Sequence, residues 1–206
     1  MIRLKSLLLE IETSVAAGIY NRYEMLSKYG SLNNYVEYLK SIFPNSKVKE
    51  IVYHGGTLDP ADRGKDSFTG EFGGKHGIYF TGSERRAKKY LGGGDKNYKL
   101  RSQVYFALLN IQRPLDKKIW SRWKFNADTI TDDGLYQMRQ NNSDGIIVTD
   151  FLSKYFNIQY DTQYVVLDMN QVHVLGSPTD IESFKKYMST SKYDASGIDT
   201  PGDPNM

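Results

Sequence analysis

The sequence predicts an α+β fold in which a helical first quarter leads into a series of short strands. Two patterns carry that reading. Apolar residues recur at helical spacing up to Phe43 and stop at Pro44. From Ile51 onward there are six apolar runs of four to six residues, rich in Val, Ile, Tyr and Phe and bounded by turn residues. The composition agrees, since 39% hydrophobic and 25% charged residues are the balance of a globular chain. At 206 residues the chain has the length of one domain with extensions.

Residues 1–47 read as an N-terminal helical lead-in. Leu4, Leu7, Leu8, Ile11 and Val15 share a helix face, and Gly18 loosens the pattern. Ser31 is placed to cap a further helix with Tyr35, Tyr38, Leu39, Ile42 and Phe43 on its apolar side, ended by Pro44. Strands are expected over Ile51–His54, Gly77–Thr81, Val104–Leu109, Gly145–Thr149, Tyr164–Asp168 and Val172–Leu175. Ser83–Leu91 reads as a short helix with Ala87, Tyr90 and Leu91 inward. Thr179 and Glu182 have capping-box spacing before a last helix carrying Ile181, Phe184 and Tyr187. Residues 48–188 then form the main domain, and 189–206, rich in Ser, Asp, Gly and Pro, read as a disordered tail.

Composition excludes several functions. The chain has no cysteine, so it has no disulfide framework, thiolate nucleophile or cysteine-ligated metal. Its three histidines, His54, His76 and His173, argue against a histidine-rich metal site, and no metal is expected. A net charge of +3 is too mild to point to nucleic acid by itself. Glu10 and Glu12 interrupt the first apolar run, and Val104–Leu109 is far short of a membrane span, so the chain reads as soluble, cytoplasmic and without a membrane partner. Eleven of the 18 glycines fall between Gly55 and Gly94, which marks that window for a site where backbone approaches a ligand. Neither a Gly-x-Gly-x-x-Gly turn nor a P-loop is present in it.

Three segments carry chemistry together. Val52-Tyr53-His54-Gly55-Gly56 is a strand ending in histidine and glycines. Gly77-Ile78-Tyr79-Phe80 is a strand followed by a short helix to Tyr90, eleven residues beyond Tyr79. The third, Gln163-Tyr164-Val165-Val166-Leu167-Asp168, opens an apolar strand with a glutamine. In this order they resemble the His-Tyr-Glu class of ADP-ribosyltransferases, the diphtheria-toxin and poly(ADP-ribose) polymerase branch. The pattern is closer still to the ADP-ribosyltransferase domains of polyvalent proteins in phages and mobile elements. Two further segments bear on that second likeness, Leu109-Asn110-Ile111-Gln112-Arg113-Pro114-Leu115 and Asp144-Gly145-Ile146-Ile147. The resemblance spans about Tyr35 to Tyr187.

The resemblance implies a split, mostly antiparallel two-sheet core with NAD, as co-substrate, in the cleft between the sheets. It implies a mono-ADP-ribosyltransferase that cleaves the nicotinamide–ribose bond and transfers ADP-ribose to a macromolecular acceptor, protein or nucleic acid. Such cleavage passes through an oxocarbenium-like state and needs held ribose hydroxyls and charge stabilisation. By resemblance, His54 bonds the adenosine-side ribose and Gly55 reads the carboxamide. Tyr79 and Tyr90 sandwich the nicotinamide, and Gly56, Gly77 and Phe80 complete the cofactor positions. Apart from the resemblance, Arg63 and Lys65 lie in the loop after His54, where they are placed to meet the pyrophosphate or to be simply exposed. Gln163 takes the place of the family's glutamate. It keeps a hydrogen bond but removes the negative charge, which argues against polymer elongation and keeps open an NAD glycohydrolase or a non-catalytic NAD-binding or virion-associated module. Asp161 shares a strand face with Gln163 by alternation and is the candidate for acceptor activation. Ala87 stands where polymerase-type members often carry serine. Arg85, Arg86, Lys88 and Lys89 read as a solvated face, Lys117–Lys124 with Trp120 and Trp123 as an amphipathic segment, and His173 as structural.

Overall fold

The structure, a computed structural model, describes residues 13–56, 58, 77–92, 103–116, 132–148 and 162–196. The lead-in forms three helices, α1 (Thr13–Arg22), α2 (Glu24–Tyr29) and α3 (Leu32–Ser41). Ser31 caps α3 as expected, in a reciprocal box with Asn34, and α3 buries Tyr35, Val36, Tyr38 and Leu39. Leu4, Leu7, Leu8 and Ile11 lie outside the described residues.

All six expected strands form: β1 (Val52–Gly56), β2 (Ile78–Thr81), β3 (Gln103–Leu109), β4 (Gly145–Val148), β5 (Gln163–Val166) and β6 (Val172–Val174). They make one sheet in the order β4-β5-β2-β1-β3-β6, every ladder antiparallel. The halves β4-β5-β2 and β1-β3-β6 meet at a narrow seam, with β1 paired to β2 at Tyr53 opposite Thr81. Between β2 and β3 lie α4 (Glu84–Lys88) and a 3-10 turn (Lys89–Gly92). α5 (Asp132–Gln140) precedes β4, and α6 (Pro178–Ser196) follows β6.

Strand alternation sends Val52, Ile78, Phe80, Ala107, Leu109, Tyr164 and Val166 to one face, where they cluster with Val48, Leu58 and Ile111. The sheet curls about this face, and among the described residues no α-helical side chain belongs to the cluster. The other face is covered in patches. α1, α2, α3 and α6 pack on Leu108 through Ala16, Ile19, Leu26, Leu39 and Phe184. α5 packs Met138 against Ile146, Val148 and Val165. The lead-in therefore shares a core with the last helix.

Two expectations at the C-terminal end are corrected. α6 is capped by Ser177, whose Oγ accepts from the Asp180 amide at 3.1 Å, and not by Thr179. Pro178, with no N–H to satisfy, occupies the first helical position and sets the start. α6 also runs to Ser196, eight residues into the segment expected to be disordered, and 197–206 lie outside the described residues.

Candidate functional site

The site grows from the uncurled face of the sheet. Pairing registers place Val148, Gln163, Thr81, Tyr53 and Phe106 in one cross-strand row, successive neighbours standing opposite one another. The next row runs Ile146, Val165, Tyr79, and on β1 Gly55 beside Val104. Tyr79 and Gln163 thus share a face in adjacent rows. Neither row contains a charged side chain, and Met138 of α5 packs on the end formed by Ile146, Val148 and Val165, with Tyr79 against the same cluster.

Gln163 is the unusual member. Its side chain is buried at 5% exposure, and its Oε1 has no hydrogen-bond partner among the described residues. Leaving a buried acceptor unmet costs about 1–3 kcal/mol. Thr81 stands opposite, equally buried, its Oγ1 accepting from the Ser83 amide at 3.3 Å. Sequence reasoning passed over Thr81, whose only signal was its place at the end of a strand beside the glutamine strand.

His54 lies on the curled face with Phe80, its ring 5.5 Å from the Phe80 ring and 6.2 Å from that of Tyr105. Its Nδ1 is 2.7 Å from the Tyr79 carbonyl oxygen. A carbonyl only accepts, so Nδ1 carries the proton and donates. The histidine therefore spans the seam where β1 and β2 part and ties the backbone of Tyr79 to β1. The structure brings His54 to Tyr79 through that carbonyl, while the side chains of Tyr79 and Gln163 emerge on the opposite face.

Gly55 has a packing role that the sequence did not reveal. A Cβ built there would lie 1.8 Å from the carbonyl oxygen of Ala87, which is itself fully buried. Only glycine lets α4 sit this close to β1. Gly56 and Gly77 have φ of 144° and 101°, conformations that L side chains rarely adopt. Tyr90, in the 3-10 turn after α4, is 49% exposed. Arg63 and Asp161 lie outside the described residues, as do Trp120 and Trp123. No group of three or more His, Asp or Glu able to hold a metal occurs among the described residues, nor a helix long and apolar enough to cross a membrane.

No family model, curated protein or solved structure matches this chain.

Proposed function

We propose that the chain is an NAD-dependent mono-ADP-ribosyltransferase, with the two three-stranded halves of its sheet as the split core of that fold. The observation that carries the reading is the buried Oε1 of Gln163, without a hydrogen-bond partner among the described residues and one row from Tyr79 on the same face. An acceptor so placed needs a donor, and a ribose hydroxyl supplies one. Tyr79 offers its ring to the cationic nicotinamide, and Tyr90 offers a second from the turn after α4. His54 holds the Tyr79 backbone through its Nδ1. The bond cleaved is the nicotinamide–ribose bond, and Gln163 positions the ribose without supplying charge. The co-substrate of this reading is NAD, and the acceptor is a protein or a nucleic acid.

The test is nicotinamide release from NAD by the purified chain, with and without a bacterial lysate. Release that is lost in His54→Ala and Tyr79→Ala and rises with lysate is the expected result. Free ADP-ribose with no labelled macromolecule would make the chain a glycohydrolase. The absence of any carboxylate from the two rows favours a second reading, a non-catalytic NAD-binding module, which predicts NAD binding without release. Neither release nor binding overturns both.

A further inference from the structure

We infer that the outward face of α4 is a docking surface for the phosphate backbone of a nucleic acid. With Ala87 turned inward onto Gly55, helical geometry directs Arg85, Lys88 and Lys89 away from the sheet, and all three are exposed. The one acid of the helix, Glu84, is 2.8 Å from Lys88 and offsets a single charge. Outside residues 84–89 the chain has 23 basic and 23 acidic residues, so the four cations and one acid of that stretch carry the whole net charge of +3. A further cation lies on the same side of the sheet: the guanidinium of Arg22 stands 5.3 Å over the ring of Phe106, in the row that contains Tyr53.

The chemistry of the face selects the partner. Residues spaced three and four apart on a helix are neighbours about 5–6 Å apart, so these cations form a compact row that matches repeated phosphate charges. Arginine adds a planar fork suited to phosphate. A protein interface wants a desolvated apolar anchor and is depleted in lysine, and the outward positions of α4 offer lysine and arginine with no aliphatic anchor. The helix bearing this row is packed on β1 beside Tyr79, which places a bound strand next to the candidate site.

Anisotropy of a labelled mixed-sequence 20-nucleotide RNA, and of the same sequence as DNA, tests this on the full chain with no NAD present. The logarithm of the binding constant should fall with log salt with a slope near −2, since three contacts contribute about −0.7 each on a single strand. In Arg85→Glu/Lys88→Glu/Lys89→Glu, affinity should fall at least about tenfold and the slope should flatten. Lys28→Glu/Lys40→Glu/Lys185→Glu, equal in charge change but elsewhere, should retain most of the binding, and circular dichroism should show both variants folded. Equal loss in the two variants, no binding at low salt, or equal competition per charge by polyglutamate would overturn the inference, the last in favour of an acidic protein. Because NAD is absent, this outcome is independent of nicotinamide release, and either reading can fail alone.

Discussion

At the scale of single residues, two glycines make opposite predictions. Gly55 is pressed against the backbone of Ala87, which cannot swing away as a flexible side chain would. Gly55→Ala should destabilise the chain by about 1–3 kcal/mol, the usual cost of overpacking, and expose the amides of α4 to hydrogen exchange. Gly18 lies inside α1 with nothing within 4 Å of its added Cβ. Gly18→Ala should therefore stabilise by about 0.5–1 kcal/mol through helix propensity. Urea unfolding of the pair reads both signs. Gln163→Glu asks a different question, since it places a carboxylate where a buried amide now sits. Stability should fall as that charge is desolvated, while nicotinamide release should rise if the proposed reaction is correct. A stable variant with no change in release would remove Gln163 from the chemistry. The sequence singled out Gln163, Tyr79 and His54 by residue type and order, but not the face each occupies, because the pleat is set only once strands pair. The packing role of Gly55 was not legible either, because its contact is a helix backbone 32 residues further on.

At the scale of elements, a polar staple holds the far ends of the sheet together. The Gln171 side chain accepts from the amides of Leu167 and Asp168, both at 3.1 Å, and donates to the carbonyls of Asn110 and Asp144 at 3.0 and 2.6 Å. The Asp144 carboxylate accepts from the amides of Gln112 and Arg113, and the Leu115 amide donates to Gly145. The exit of β3 is thereby laid beside the start of β4. Gln171→Leu leaves two amides and two carbonyls without these partners and should cost about 1–3 kcal/mol. The urea midpoint should shift at unchanged slope, and exchange protection should be lost first at Ile111–Leu115 and Gly145. Both segments were legible as motifs, yet nothing in either announced that they join, since the partners are some 30 residues apart. Gly145 shows the cost of the join: an added Cβ would lie 2.8 Å from the Ile111 side chain and 2.9 Å from the Val165 carbonyl oxygen. α5 was not anticipated because its visible apolar signal is slight. Gly134 interrupts Asp132–Gln140, and among its described side chains Met138 is the buried contribution to the core.

At the scale of the whole molecule, α3 of the lead-in and the last helix are joined by one buried carboxylate. Asp180, fully buried at the start of α6, accepts from Tyr35 at 2.7 Å, Tyr38 at 3.1 Å, His173 Nε2 at 2.7 Å and the Gly176 amide at 2.8 Å. α3, α6, β6 and the turn between the last two thus meet at one residue. Asp180→Ala strands two phenols, an imidazole and the Gly176 amide together and should be strongly destabilising, at about 1–3 kcal/mol for each buried donor left unmet.

The same cluster fixes how stability responds to alkali. Burial first, and the Asp180 charge second, hold the phenols of Tyr35 and Tyr38 well above the ordinary tyrosine value. Their protonated forms are favoured in the fold, so the contribution is fully present below about pH 10, where unfolded tyrosine begins to ionise. Above that point the unfolded chain binds fewer protons than the native one, and stability falls with pH by about 1.4 kcal/mol per unit for each tyrosine. The midpoint of urea unfolding should therefore drop steeply between about pH 10 and 11.5, by an amount that the two phenols together dominate. Tyr35→Phe/Tyr38→Phe should be less stable at neutral pH, having lost two bonds to Asp180, yet show a flatter alkaline limb. An unchanged alkaline slope in that double variant would mean that groups other than Tyr35 and Tyr38 set the alkaline limb, and that the pull of Asp180 on the two phenols is not what the pH response reads.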